Sequence, residues 1–134
     1  MNHHKIKSVA EIPGIDKDIV QLCDVLNTFD GFKTRHSCSG HEEGEEFNVW
    51  FLVDNSMDAR DSLGLLSYII RSFSVLVLGG AYVPDAIKCE LDGEGLTGGG
   101  KLIFHFYGEC DPNKLAKWME ETIEEEKKEI DFLL

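Results

Sequence analysis

Apolar positions recur along this chain with two different periods, and the switches between them mark out its elements. Ile19, Leu22, Cys23, Leu26 and Phe29 fall three and four residues apart, which predicts a helix over residues 17 to 29 with one apolar stripe. The turn signal Ile12-Pro13-Gly14 precedes it, Asp16 reads as its N-cap, and Asp30-Gly31 ends it. Phe32 to Ser37 and Phe47 to Val53 then read as strands, the two arms of a hairpin with a long acidic connection. A second helix is expected from Asp58 to Phe73, capped by Asn55 or Ser56, with Leu63, Leu66, Ile69, Ile70 and Phe73 on one side. The following Val75 to Leu78 is expected to be an irregular apolar segment. Ala86 to Leu91 and Lys101 to Tyr107 predict a second hairpin around a glycine-rich loop, residues 92 to 100. Asp111-Pro112 supplies a cap and a first-turn proline for a third helix from Pro112 to Lys128, with Leu115, Trp118, Met119, Thr122 and Ile123 inward. The apolar end, Ile130 to Leu134, is expected to dock on the body or on a neighbouring chain.

The order is therefore αββ-αββ-α, a loose internal duplication in which each hairpin follows a helix. Its economical solution is a single α+β domain over residues 1–134: a two-layer sandwich with one four-stranded antiparallel sheet from the two hairpins and three helices chiefly on one face. Alternation places Phe47, Val49, Phe51 and Val53 opposite Trp50 and Leu52, and Leu102, Phe104 and Phe106 opposite Ile103, His105 and Tyr107. The second face is too apolar to be an ordinary wet surface, so it calls for another helix, a ligand or a homodimer partner.

Composition narrows the classes. A chain of 134 residues with 43% hydrophobic and 28% charged residues is one ordinary globular domain, and its longest apolar run is far too short to span a bilayer. The first residues are not followed by an apolar signal-peptide region, from which a cytoplasmic address is expected. A net charge of −12 disfavours nucleic acid as a partner. The cysteines at 23, 38, 89 and 110 are far apart, with no C-x-x-C pair, and read as reduced thiols.

The visible chemistry gathers in Thr34-Arg35-His36-Ser37-Cys38-Ser39-Gly40-His41. His36, Cys38 and His41 are candidate ligands for a metal, zinc being the natural choice for thiolate and imidazole, with His105 or Cys110 as further donors if the hairpins adjoin. Cys38 and His41 are also candidate catalytic residues, a thiol nucleophile beside a base. Ser37, Ser39 and Gly40 are candidate ligand-binding residues, because small residues in a tight connection turn several backbone N–H groups toward one point. The acidic connection from His41 to Glu46 reads as a solvated loop, the alternative being a carboxylate-rich loop that helps hold a cation. Gly98-Gly99-Gly100-Lys101 is not a phosphate loop, because the lysine leads into a strand where that mechanism needs a helix N-terminus.

Leu26-Asn27, Asp30-Gly31-Phe32, Thr34 and Ser37-Cys38-Ser39-Gly40-His41 together resemble small, mostly uncharacterised bacterial and phage proteins in which a helix and a strand lead into an S-C-x-G-H turn; the resemblance covers residues 16 to 53. It implies that the turn is a site. The shorter Ser37-Cys38-Ser39-Gly40 is similar to a string of the wybutosine-synthesising tRNA methyltransferase family, but His41 stands where that family has arginine, and no activity is carried over. The expected function is that of a small domain whose turn binds a small polar or anionic ligand or a protein partner. The alternative is a thiol- or metal-dependent enzyme using Cys38 and His41.

Overall fold

The computed structural model of the protein describes residues 8–13, 15, 17–38, 46–77, 87–96 and 101–133, with 36, 38, 92–96 and 129–133 described by their backbone alone. Phe47, Val49, Phe51 and Val53 of strand β2 (Phe47–Val53) are buried while the residues between them stay half-exposed, as a pleated strand with one dry face requires. β2 pairs antiparallel with β1 (Phe32–Cys38) on one side and with β4 (Leu102–Gly108) on the other. β4 in turn pairs with β3 (Ile87–Leu96), so the spatial order is β1-β2-β4-β3. Helices α1 (Val20–Leu26), α2 (Met57–Leu76) and α3 (Pro112–Leu133) cover the dry face. Leu22 and Leu26, Leu66, Ile69 and Phe73, and Leu115 and Met119 meet Phe47, Phe51 and Phe106 in one buried cluster. The chain thus forms the predicted α+β sandwich, its hairpins joined through their second strands.

Several bounds differ from the expectation for identifiable reasons. The first helix opens as a 3-10 turn, Lys17–Ile19, and its α-helical part stops at Leu26, because the N–H groups of Thr28 and Phe29 bond the carbonyls of Val25 and Leu26 in tighter turns of 3.0 and 3.1 Å. Asp16 lies outside the described residues. α2 runs through Ser74, Val75 and Leu76 instead of fraying at Phe73, because no glycine or proline interrupts it there, and the Val77 N–H still reaches the Phe73 carbonyl at 2.9 Å. Ser56 is its cap, accepting from the Ala59 N–H at 3.1 Å. β3 continues past Leu91 to Leu96 with a register irregularity between them, a distortion that Gly93 and Gly95 accommodate within a strand. Residues 97–100 of the expected glycine-rich loop, with Leu78, Ala86 and Leu134, lie outside the described residues. α3 is capped by Asp111, whose carboxylate accepts from the Asn113 N–H at 2.9 Å, and it extends beyond Lys128 to Leu133. The terminal apolar segment is therefore helical up to Leu133.

The corner between α1 and β1 sets how these layers meet. The Asn27 side chain donates to Thr34 Oγ1 at 3.0 Å and accepts from the Thr34 N–H at 2.9 Å, tying the helix end to the strand. Gly31, at φ +83°, turns the chain, and its carbonyl accepts from the Asp54 N–H at 3.0 Å, while Ser62 of α2 donates to the Asp30 carbonyl at 2.9 Å. A Cβ on Gly31 would lie 2.5 Å from the Ala59 Cβ and 3.0 Å from Asp54 Oδ1. Gly31→Ala is expected to destabilise the protein by about 3 kcal/mol through both positive φ and overlap. Gly64→Ala, in an α2 position where a Cβ meets nothing within 4 Å, is expected to stabilise it by about 0.5–1 kcal/mol. Urea unfolding of the two variants, measured against the parent, checks both signs.

Candidate functional site on the open sheet face

Register assembles a polar-aromatic surface on the face turned away from the helices. β2 and β4 pair Asn48 with Tyr107, Trp50 with His105, and Leu52 with Ile103. β3 adds Lys88 opposite Tyr107 and Glu90 opposite His105. Trp50 and His105 are the fourth residues of two seven-residue strands, so the pair sits at the middle of the β2–β4 ladder. Their rings stack at 4.3 Å with an interplanar angle of 1°, and Tyr107 stacks on the other side of His105 at 4.3 Å and 24°. Such pairs contribute about 0.5–1.5 kcal/mol each beyond the area they bury.

Hydrogen bonds fix this stack. The Asn48 amide nitrogen donates to the Glu46 carbonyl at 3.1 Å, which orients Oδ1 toward His105 Nε2 at 2.7 Å. With Oδ1 only an acceptor, the imidazole proton sits on Nε2. Desolvation raises the Tyr107 phenol above its ordinary pKa; its hydrogen bond to the Glu90 carboxylate and the charges of Glu90 and Glu46 add to the effect. Glu46, the last residue of the acidic connection, is thus close enough for Tyr107 to feel its charge. The Asn48–Tyr107 end of the face is the end at which the β1–β2 connection begins.

The central turn is described in part. A bulge between Thr34 and His36 leaves Arg35 without a partner in the register, so that His36 pairs with Trp50, Ser37 with Val49 and Cys38 with Asn48. Without it, strict alternation would exchange the places of Ser37 and Cys38. Ser37 falls on the dry side, opposite Val49, and close enough to the buried Cys23 thiol to lower its pKa in part. Ser39, Gly40 and His41 lie outside the described residues. Of the further metal donors considered, His105 is held in the stack by Asn48, and Cys110 packs against the core. Among the described residues no group of three or more His, Cys, Asp and Glu is arranged to hold a metal ion. Asn48, Lys88 and Glu90 were not legible as site residues. Alternation shows which residues of one strand share a face, but not which residue of another strand lies opposite.

A family model described as YoqC prophage protein matches residues 3–71, just over half of the 134-residue chain. The chain belongs to this family. The match agrees with the resemblance to small phage and bacterial proteins, and it takes in α1, the first hairpin and most of α2. The YoqC segment therefore contains the Gly31 corner with Asn48 and Trp50, while His105 and Tyr107 come from the remaining part. No curated protein and no solved structure matches the chain. No helix among the described residues is long and apolar enough to cross a membrane.

The described thiols are poor nucleophiles. Burial pushes Cys23 up to about 11, against a partial lowering by Ser37, and pushes Cys89 and Cys110 up to about 12. An unfolded thiol ionises near about 8.5, so above that pH the folded state holds protons that the unfolded chain releases. Stability is accordingly expected to be unaffected by these groups below about pH 8.5 and to fall between there and about pH 12, by on the order of 2 kcal/mol per well-buried thiol at pH 10. Urea unfolding at pH 8 and pH 10 measures the fall, and Cys89→Ala is expected to make it smaller.

Proposed function

We propose that this protein is a recognition module whose binding surface is the open sheet face together with the Ser39–His41 connection. Its ligand is a small polar molecule, neutral or anionic, with a flat ring, or the corresponding side chain of a protein partner. The observation that carries this reading is the fixed Trp50–His105–Tyr107 stack beside Asn48 and Lys88. Rings already held by mutual stacking need little further ordering on binding, and the neighbouring amide and ammonium groups supply directional contacts that would fix a polar ligand. The connection follows Cys38, which pairs with Asn48 at the same end of the face, and Ser39 and Gly40 are its proposed contacts to an anionic substituent.

Titration of a Trp118→Phe variant, in which Trp50 is the sole tryptophan, tests the reading with adenosine, adenosine monophosphate, free phosphate and free aromatic amino acids as probes. Saturable quenching by a ring-bearing probe, weakened about tenfold by His105→Ala or Gly40→Val, is the expected result. Unchanged emission and unchanged amide resonances with every probe would remove the sheet face as a binding surface. Elemental analysis of the same protein separates the competing chemistry: near-stoichiometric zinc that is lost in Cys38→Ser would move the protein to the metal-dependent class.

A further inference from the structure

A second surface lies between α2 and α3, on the helical layer and away from the sheet face. An open groove of about 740 Å³ is lined there by Tyr68, Ser72 and Leu76 from α2 and by Trp118, Thr122 and Glu125 from α3. Tyr68, Ser72 and Leu76 follow one another at four-residue steps, so they form one row along α2. Tyr68 is 55% exposed and Leu76 70% exposed, with Val75 beside it at 56%, which is unusual for large apolar side chains on the outside of a helix whose other side is well buried.

The polar groups of the floor are already engaged. Trp118 Nε1 donates to Ser72 Oγ at 3.1 Å, Ser72 donates to the Ile69 carbonyl at 3.1 Å, and Thr122 donates to the Trp118 carbonyl at 2.8 Å. The floor therefore offers an occupant mainly apolar contact. The rim differs in kind: Glu125 and Glu126 border the groove, and an adjoining shallow depression is lined by Glu120, Glu121, Glu124 and Glu125, with Lys128 the one cation lining either place among the described residues.

We propose that this groove docks a basic amphipathic segment of a partner protein, with the apolar side of the segment on Tyr68, Leu76 and Trp118 and its lysines or arginines along the acidic edge of α3. Charge decides among the occupants of an apolar groove. A second copy of the chain would bring the same row of glutamates against itself in a two-fold contact, within a molecule whose net charge is −12. Nucleic acid and anionic lipid surfaces are repelled by the same row. A basic helix laid in a groove through residues at i, i+3, i+4 and i+7 satisfies floor and rim together.

Fluorescence anisotropy of a labelled 14-residue peptide, with leucine at those spacings and lysine elsewhere, tests the proposal on the full chain. The expected result is saturable one-to-one binding at roughly micromolar Kd, weakened about tenfold in the double variant Tyr68→Ser and Leu76→Ser. Both residues are exposed, so the fold is expected to survive, and an unchanged circular dichroism spectrum and urea midpoint verify it. Binding is also expected to weaken with added salt, and to depend less on salt in Glu125→Gln with Glu126→Gln. Absence of binding at low salt overturns the proposal. So does equal affinity for a peptide of the same composition with its leucine spacing scrambled, or affinity that the serine substitutions leave unchanged. A dimer seen by sedimentation that the same substitutions convert to monomer would identify a second copy as the occupant and overturn it as well.

Discussion

The contact on which the rest of the molecule depends is the approach of the Gly31 backbone to the first turn of α2. Only a hydrogen atom fits between Gly31 and Ala59, and the φ of +83° is one that side-chain-bearing residues seldom adopt. Around it the polar groups are used up in pairs: Asn27 with Thr34, Asp54 with the Gly31 carbonyl and the Ser56 hydroxyl, and Ser62 with the Asp30 carbonyl. Helix α1, strand β1 and the start of α2 are thereby joined at one point, with Ala59 seated under the turn. The YoqC match spans all of these residues, which makes the corner part of what the matched segment contains.

From that corner the sheet is built outward by pairing alone. β2 meets β4 with Trp50 opposite His105, and the two hairpins are then fixed relative to each other by the central strands. One face of this sheet is closed by helices and the other carries the aromatic stack, so the two layers do different work: the helical side supplies the buried cluster and the sheet side a held set of rings and polar groups. The groove between α2 and α3 is a feature of the helical layer, where Trp118 lines it while also meeting Phe73 edge-on.

Fold class and element order were legible because periods of two and of three to four residues alternate cleanly between Ile19 and Ile123. The two sheet faces were legible too, since alternation in Phe47–Val53 and Leu102–Gly108 depends only on the pleat. What the residues could not disclose is anything that depends on register between distant strands. Asn48 and His105 are 57 positions apart, and nothing local to either announces the bond between them. The role of Asn27-x-x-Asp30-Gly31 was half visible: the glycine read as a helix stop, but its close approach to Ala59 is a tertiary fact. The side of β1 on which Ser37 falls was not legible either, because a bulge changes which residues of the strand share a side.

That bulge has a consequence for how the strand is divided. A regular strand has one parity from end to end, so the residues dictated by the corner would also dictate what the chain presents on reaching the connection. Arg35 breaks the count. Up to Thr34 the strand answers to Asn27 and Phe51; from His36 onward it answers to Trp50, Val49 and Asn48. The two stretches are separate reading frames of one strand: the corner fixes the first, and pairing with the start of β2 fixes the second.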